Sequence, residues 1–313
     1  MGDRRAVVGG GTDAPMTVAI VGSTASGKSA VAMAVARELP DVEVVSVDSM
    51  QVYRGMDIGT ATPSPSERRE VRHHCVDLVE ATDEFNVGDF QVAHRAAMAD
   101  IASRGARGLL VGGTGLYHRV VVDEFELPGQ FPDVRRDLES EPDTAALFSR
   151  LVELDPAAAE KMEPDNRRRV VRALEVCVGS GRAFSSFGPG IDVYPESPVI
   201  QIGLRTPRPE LAARIERRVH EMIAAGFVEE VEALRSVGFS RSAGQALGYK
   251  EIGAYLEGRI GKDEAIDMII TRTRQFAVRQ ERWFRRDPRV RWIDVERDPV
   301  ADVAPVVIEA LTR

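Results

Sequence analysis

The chain has 313 residues, 43% hydrophobic and 29% charged, which is the balance of a folded globular protein and excludes a disordered one. No apolar run reaches the ~18 residues that a membrane span needs. The net charge of -8 argues against a uniformly basic nucleic-acid binder, yet eight arginines lie between Arg272 and Arg291 against only Glu281 and Asp287, and four lie between Arg167 and Arg172 against no acid, so local basic surface can exist.

Residues 1–15 carry Arg4, Arg5 and a Gly-rich stretch without the apolar core of a signal peptide, and they read as a disordered leader. Residues 17–21 form a short apolar run that reads as a strand. It leads into Gly22-Ser23-Thr24-Ala25-Ser26-Gly27-Lys28-Ser29, after which Val31, Val35 and Leu39 recur at helical spacing. Strand, GxxxxGK[ST] loop and helix together are the context of a phosphate-binding P-loop. Gly22 and Gly27 let the backbone curl so that its N–H groups point inward, and the helix presents its positive end. Lys28 adds a point charge, and the Ser29 hydroxyl can hold Mg²⁺. The loop does not say whose phosphate it grips, and ATP is the common occupant.

Residues 43–47 read as a second strand ending at Asp48, residues 87–103 as a helix, and residues 108–111 as a third strand closed by Gly112-Gly113-Thr114-Gly115. Strands alternating with helices predict an α/β fold, a P-loop NTPase-like core with a parallel sheet flanked by helices. Ligands gather at the carboxyl ends of such strands, so the P-loop, the Asp48 block and the Gly112 turn should converge. Nucleotide hydrolases usually end a second apolar strand in an acid that holds Mg²⁺; here the 108–111 run ends in Gly-Gly-Thr. Asp48 is followed by Ser49, Met50, Gln51 and Tyr53, a mixture that suits reading a base edge as well as holding a metal or capping a loop.

The pattern then changes. Residues 121–197 contain scattered prolines between short helical stripes, one of them Leu147, Leu151 and Leu154. A βα connection normally takes ~2–6 residues, so these roughly 75 residues read as an all-helical insertion domain. Residues 199–204 read as a strand, residues 211–225, 228–236, 249–256 and 262–286 as helices, and residues 290–293 as a last strand. The expected domains are the leader, a core of residues 16–120 and 198–313, and the insertion. Cys75 and Cys177 lack metal-ligand or CxxC spacing and read as free or buried thiols in a reducing cytoplasm.

The block from Asp48 to Ala61 (DSMQVYRGMDIGTA) resembles the signature of the bacterial tRNA dimethylallyltransferases. Further blocks resemble the same family in the same order: the P-loop, His73-His74-Cys75-Val76-Asp77, Val111-Gly112-Gly113-Thr114-Gly115-Leu116-Tyr117, RRVVRALEV from Arg168, RIERRVHEM from Arg214, Leu247-Gly248-Tyr249-Lys250-Glu251, and TRQFAVRQERWF from Thr273. The likeness runs from about Thr17 to Trp292. The chain departs from the pattern at Ser23, where proline is usual, at Thr62, where lysine is common, at Arg168, in place of glutamine, and at Val278, in place of lysine.

The resemblance implies transfer of a dimethylallyl group from dimethylallyl diphosphate to N6 of adenosine 37 in tRNA, forming N6-isopentenyladenosine and releasing diphosphate. It implies that the P-loop residues, with Lys28, Mg²⁺ on Ser29, and Arg218 as a second clamp, hold the diphosphate. Asp48 is then the general base toward the exocyclic amine, and Thr114 hydrogen-bonds near the reacting centre. The family pattern places tRNA contacts at Asp48, Ser49, Met50, Gln51 and Thr114, at Arg135, at Arg168, Arg169, Val170, Val171 and Arg172, and at Gln245, Ala246, Leu247, Gly248, Tyr249 and Lys250. The insertion is thereby expected to grip the anticodon stem-loop. Tyr53 or Phe284 could stack on the extruded base, although such aromatics are more often core residues. A cytoplasmic monomer that binds no membrane is expected. The alternative reading is an ATP-dependent small-molecule phosphotransferase using the same loop; a third is an RNA-binding P-loop protein without transfer chemistry.

Overall fold

The computed structural model describes residues 17–188 and 190–313, so the leader expected over residues 1–15 lies outside the described residues. The chain divides into two compact units, one holding residues up to Tyr117 together with Ser197–Arg313, the other His118–Glu196.

Among the described residues, the first unit is built on six strands: β1 Val18–Gly22, β2 Val42–Val47, β3 His73–His74, β4 Arg107–Gly112, β5 Ile200–Arg205 and β6 Val290–Asp294. They form one sheet in the order β3-β2-β4-β1-β5-β6, and every pairing is parallel. Every residue of β1 and β2 is buried, as expected of parallel strands covered on both faces. The two-residue period sorts β1: Val18 and Ile20 join a core with Val31 and Val35 and with Val303, Val307 and Leu311, whereas Val21 packs with Phe284 and Val290.

Helices α1 (Lys28–Glu38), α2 (Pro65–Glu70) and α3 (Val87–Ser103) follow the first three strands. The last of these matches the expected span, and Asn86 and Asp89 close a capping box at its start. Helix α4 (Gly115–Val122) follows the Gly112 turn, and the division between the units falls within it.

The second unit contains α5 (Pro132–Ser140), α6 (Thr144–Leu154), α7 (Pro156–Ala159) and α8 (Arg167–Ser180). Leu138, Leu147, Leu151, Val170, Val171 and Leu174 make its core. Buried Arg119 pairs with Asp123 and donates to the carbonyls of Ile191 and Val193, both at 2.7 Å, which ties the two ends of this unit together.

The first unit resumes with α9 (Arg208–Ala224), α10 (Phe227–Val237), α11 (Tyr249–Leu256), α12 (Lys262–Arg285) and α13 (Pro299–Thr312). Helix α13 packs on α1 and completes the core beneath β1. Cys75 and Cys177 are free and buried, and burial pushes the Cys75 thiol up to about 12.

Candidate active site

Strands β2, β4 and β1 are neighbours in that order, so the three polar clusters that follow them sit side by side. The chain leaves β1 toward β2 but leaves β4 toward β5, on the opposite side of β1, so β1 lies at the switch point where open α/β sheets form a crevice.

Glycine is required twice in the loop after β1. Gly27 has φ 101°, and a Cβ there would lie 2.5 Å from Pro299; Gly22 has φ 148°. Ala25 also adopts a positive φ, 61°, an unfavourable conformation for a residue with a Cβ and one that clusters at functional loops. The Lys28 ammonium donates to the Ser23 carbonyl at 2.7 Å. Burial lowers its pKa to about 8; nearby Asp48 opposes that shift and Arg218 adds to it. Burial likewise lowers Arg218, against the pull of Asp48 and Glu221. Arg218 donates to the Thr24 hydroxyl at 3.2 Å. The Ser26 hydroxyl is fully buried and has no hydrogen-bond partner among the described residues. A buried orphan hydroxyl beside two partly desolvated cations is the arrangement an anion would complete.

Beside the loop, the Ser49 N–H donates to the Thr114 hydroxyl at 3.2 Å. Asp48 Oδ1 accepts from the Met50 N–H at 2.8 Å, so the capping role open to it in sequence is real. Its Oδ2 has no hydrogen bond among the described residues. Gln51 accepts from the Ser46 hydroxyl at 2.6 Å and donates to the carbonyls of Thr60 and Ala61, so it braces the block. Lys28, Arg218, Asp48 and Thr114 are thus brought together.

Other candidates are placed differently. Tyr53 and Phe284 are core residues, each 1% exposed, so neither is available to stack on a base. Val170 and Val171 belong to the helical core, Ala246, Gly248 and Tyr249 are buried, and Leu247 is half-buried. Arg135 and Arg172 both pair with buried Glu175, and Arg172 also donates to the carbonyls of Pro128 and Gly129. Arg168, Arg169, Gln245 and Lys250 are exposed, and their side chains have no partner among the described residues.

Two residues of the site region were not singled out in the sequence, although Gln280 lies within the block from Thr273. Glu230 accepts from the N–H groups of Asp57, Ile58 and Gly59 at 2.7 to 3.2 Å and from the Tyr249 hydroxyl at 2.6 Å, joining two blocks far apart in sequence. Gln280 accepts from the Thr24 N–H at 2.8 Å and donates to the Gly113 carbonyl at 2.9 Å.

Ser29 is exposed, and its hydroxyl is without a partner among the described residues. Among those residues no group of three His, Cys, Asp or Glu side chains could cage a metal ion. One hydroxyl beside a phosphate loop suits Mg²⁺, which keeps several waters and takes other ligands from substrate phosphates.

A sequence profile of the IPP transferase family matches residues 51–287. The chain is 46% identical to the tRNA dimethylallyltransferase of Nocardioides sp. over 298 residues, 94% of this chain and 96% of the relative. It is 45% identical to that of Thermobifida fusca, with 92% of each chain covered. Among solved structures, it is similar to the full-length tRNA isopentenylpyrophosphate transferase of Bacillus halodurans (TM-score 0.68, 37% identity, 96% of this chain and 97% of that one). It is also similar to a eukaryotic dimethylallyltransferase captured acting on tRNA (TM-score 0.80, 25% identity, 93% of this chain and 77% of that one). A P-loop set against an aspartate block, on this sheet and with these relatives, leaves one conclusion: the chain belongs to the IPP transferase family.

Proposed function

We propose that the protein transfers a dimethylallyl group from dimethylallyl diphosphate to N6 of adenosine 37 in tRNA and releases diphosphate. The observation that carries this reading is the juxtaposition of a cationic phosphate loop with a carboxylate, Lys28 and Arg218 on one side and Asp48 on the other, all within electrostatic reach. An allyl diphosphate needs its leaving group's charge stabilised, and the loop amides, Lys28 and Arg218 supply that. An exocyclic amine is a poor nucleophile whose proton must depart as the C–N bond forms; Asp48, through its Oδ2, would accept it. Thr114, held by the Ser49 N–H, offers its hydroxyl proton toward the leaving oxygen. Ser29 would hold Mg²⁺, which neutralises diphosphate charge when bound. Arg168, Arg169, Gln245 and Lys250 provide exposed polar groups for the RNA backbone. We place this activity in the cytoplasm and assign it to the monomer. Among the described residues, no helix is long and apolar enough to cross a membrane.

The test is incubation of unmodified tRNA with dimethylallyl diphosphate and Mg²⁺, followed by mass analysis of the nucleosides. Gain of one five-carbon unit at adenosine 37 is expected. An unmodified tRNA, with ATP consumed on a small acceptor instead, would establish the phosphotransferase reading.

A further inference from the structure

Gln280 lies on α12, 256 positions from Thr24, and its side chain is 7% exposed. Its amide accepts from the phosphate loop and donates to the turn after β4. Only a primary amide does both from neighbouring atoms of one neutral group; a carboxylate accepts alone, and a thioether donates nothing. The space between loop and turn is fitted to it. A Cβ on Gly113 would lie 2.3 Å from Gln280 Nε2 and 3.2 Å from the Gly22 carbonyl. One turn further along α12, a Cβ on Gly115 would lie 2.2 Å from the Trp283 ring. Helix α12 therefore meets the Gly112–Gly115 segment at two points, and at the first it also reaches the phosphate loop.

We infer that Gln280 is a positioning residue that sets the spacing between the diphosphate grip and the acid–base pair. The inference rests on reading the site as an allyl transferase. The leaving group is held by the loop that contains Thr24. Thr114 sits on the turn that contains Gly113 and is bonded in turn to the Ser49 N–H beside Asp48. Gln280 touches no reacting atom, but it joins the two halves. A misplacement of about 1 Å between reacting groups costs on the order of 100-fold in rate.

The test is a double-mutant cycle with two readouts, single-turnover prenyl transfer to tRNA and calorimetric binding of inorganic diphosphate. Gln280→Met keeps length and volume but removes the amide. Its rate should fall ~10- to 100-fold, with weaker diphosphate binding and a half-saturating tRNA concentration, read in the same single-turnover assay, within about twofold of wild type. Gly113→Ala should slow transfer about as much, because its methyl displaces the amide; in a Gln280→Ser background the same change should cost less than about threefold. A Gln280→Met enzyme within about threefold of wild type overturns the inference, as does a Gly113→Ala penalty equal in both backgrounds. Failure of both Gln280 variants to fold makes the residue merely structural and also overturns it. A wild-type protein that binds diphosphate but prenylates no tRNA counts against the parent reading alone, and the cycle is then decided on diphosphate binding.

Discussion

The ammonium of Lys28 and the carbonyl oxygen of Ser23 are 2.7 Å apart, so the phosphate loop's own backbone bonds the loop's cation. With a pKa lowered to about 8 by burial, Lys28 makes anion binding depend on pH. Below pH 8 the amine is charged and ready for a diphosphate. Above it, binding must first draw a proton from solvent. Dimethylallyl diphosphate affinity should therefore fall about tenfold between pH 7 and pH 9. Calorimetry across that range checks this, and Lys28→Arg, charged throughout, should flatten the profile. Folding runs the opposite way: a lysine whose folded pKa lies below its ordinary 10.5 gives stability that grows as pH rises from about 8.

Asp48 separates capping from chemistry, because only Oδ1 is used by the Met50 N–H. Asp48→Asn keeps that acceptor and removes the base. Single-turnover transfer should slow by ~100-fold or more, with tRNA affinity within about threefold. An Asn variant at wild-type speed would remove the general-base assignment.

The arginines of the helical unit divide into two classes. Removing exposed Arg168 and Arg169 together should reduce the slope of log affinity for tRNA against log salt by about 1.4, at ~0.7 per single-strand phosphate contact, and leave the melting temperature unchanged. Arg172→Ala, which removes one of two partners of buried Glu175, should instead cost about 1–3 kcal/mol of stability. Thermal melts beside salt-dependent binding curves tell the two apart.

Glu230→Ala strands three backbone N–H groups and the Tyr249 hydroxyl. Such groups cost about 1–3 kcal/mol when left unsatisfied. Denaturant unfolding should show that loss, and hydrogen exchange should show the 57–59 segment opening.

What sequence could show was decided by range. The P-loop is local, since its glycines and the flanking periodicities all lie within residues 17–39, and β1 and α1 stand where expected. Helix α3 was legible for the same reason. Strand β3 is two residues long, too short for any alternation. Helix α13 did carry a signal, the Asp298 cap and Pro299 before apolar Val303, Val307 and Leu311, but Pro305 inside it argues against a helix. At the site, the convergence of three strand ends followed from topology. Gln280 and Glu230 did not, because a polar residue on a helix has no local mark of what it bonds across 256 or 171 positions. The arginine run shows the converse limit: in sequence all four look alike, and only packing separates Arg167 and Arg172, which donate to backbone carbonyls, from Arg168 and Arg169.

The sheet order carries a cost during synthesis. Strand β1 is central, yet β5, its neighbour on one side, begins only at Ile200. At ~5–20 residues per second, the ribosome leaves that edge bare for roughly ten to forty seconds. Meanwhile His118–Glu196, continuous in the chain, emerges whole. The nascent protein therefore passes through a stage in which an apolar strand edge is open to wrong partners, and chaperone dependence should be greatest between the emergence of β4 and that of β5.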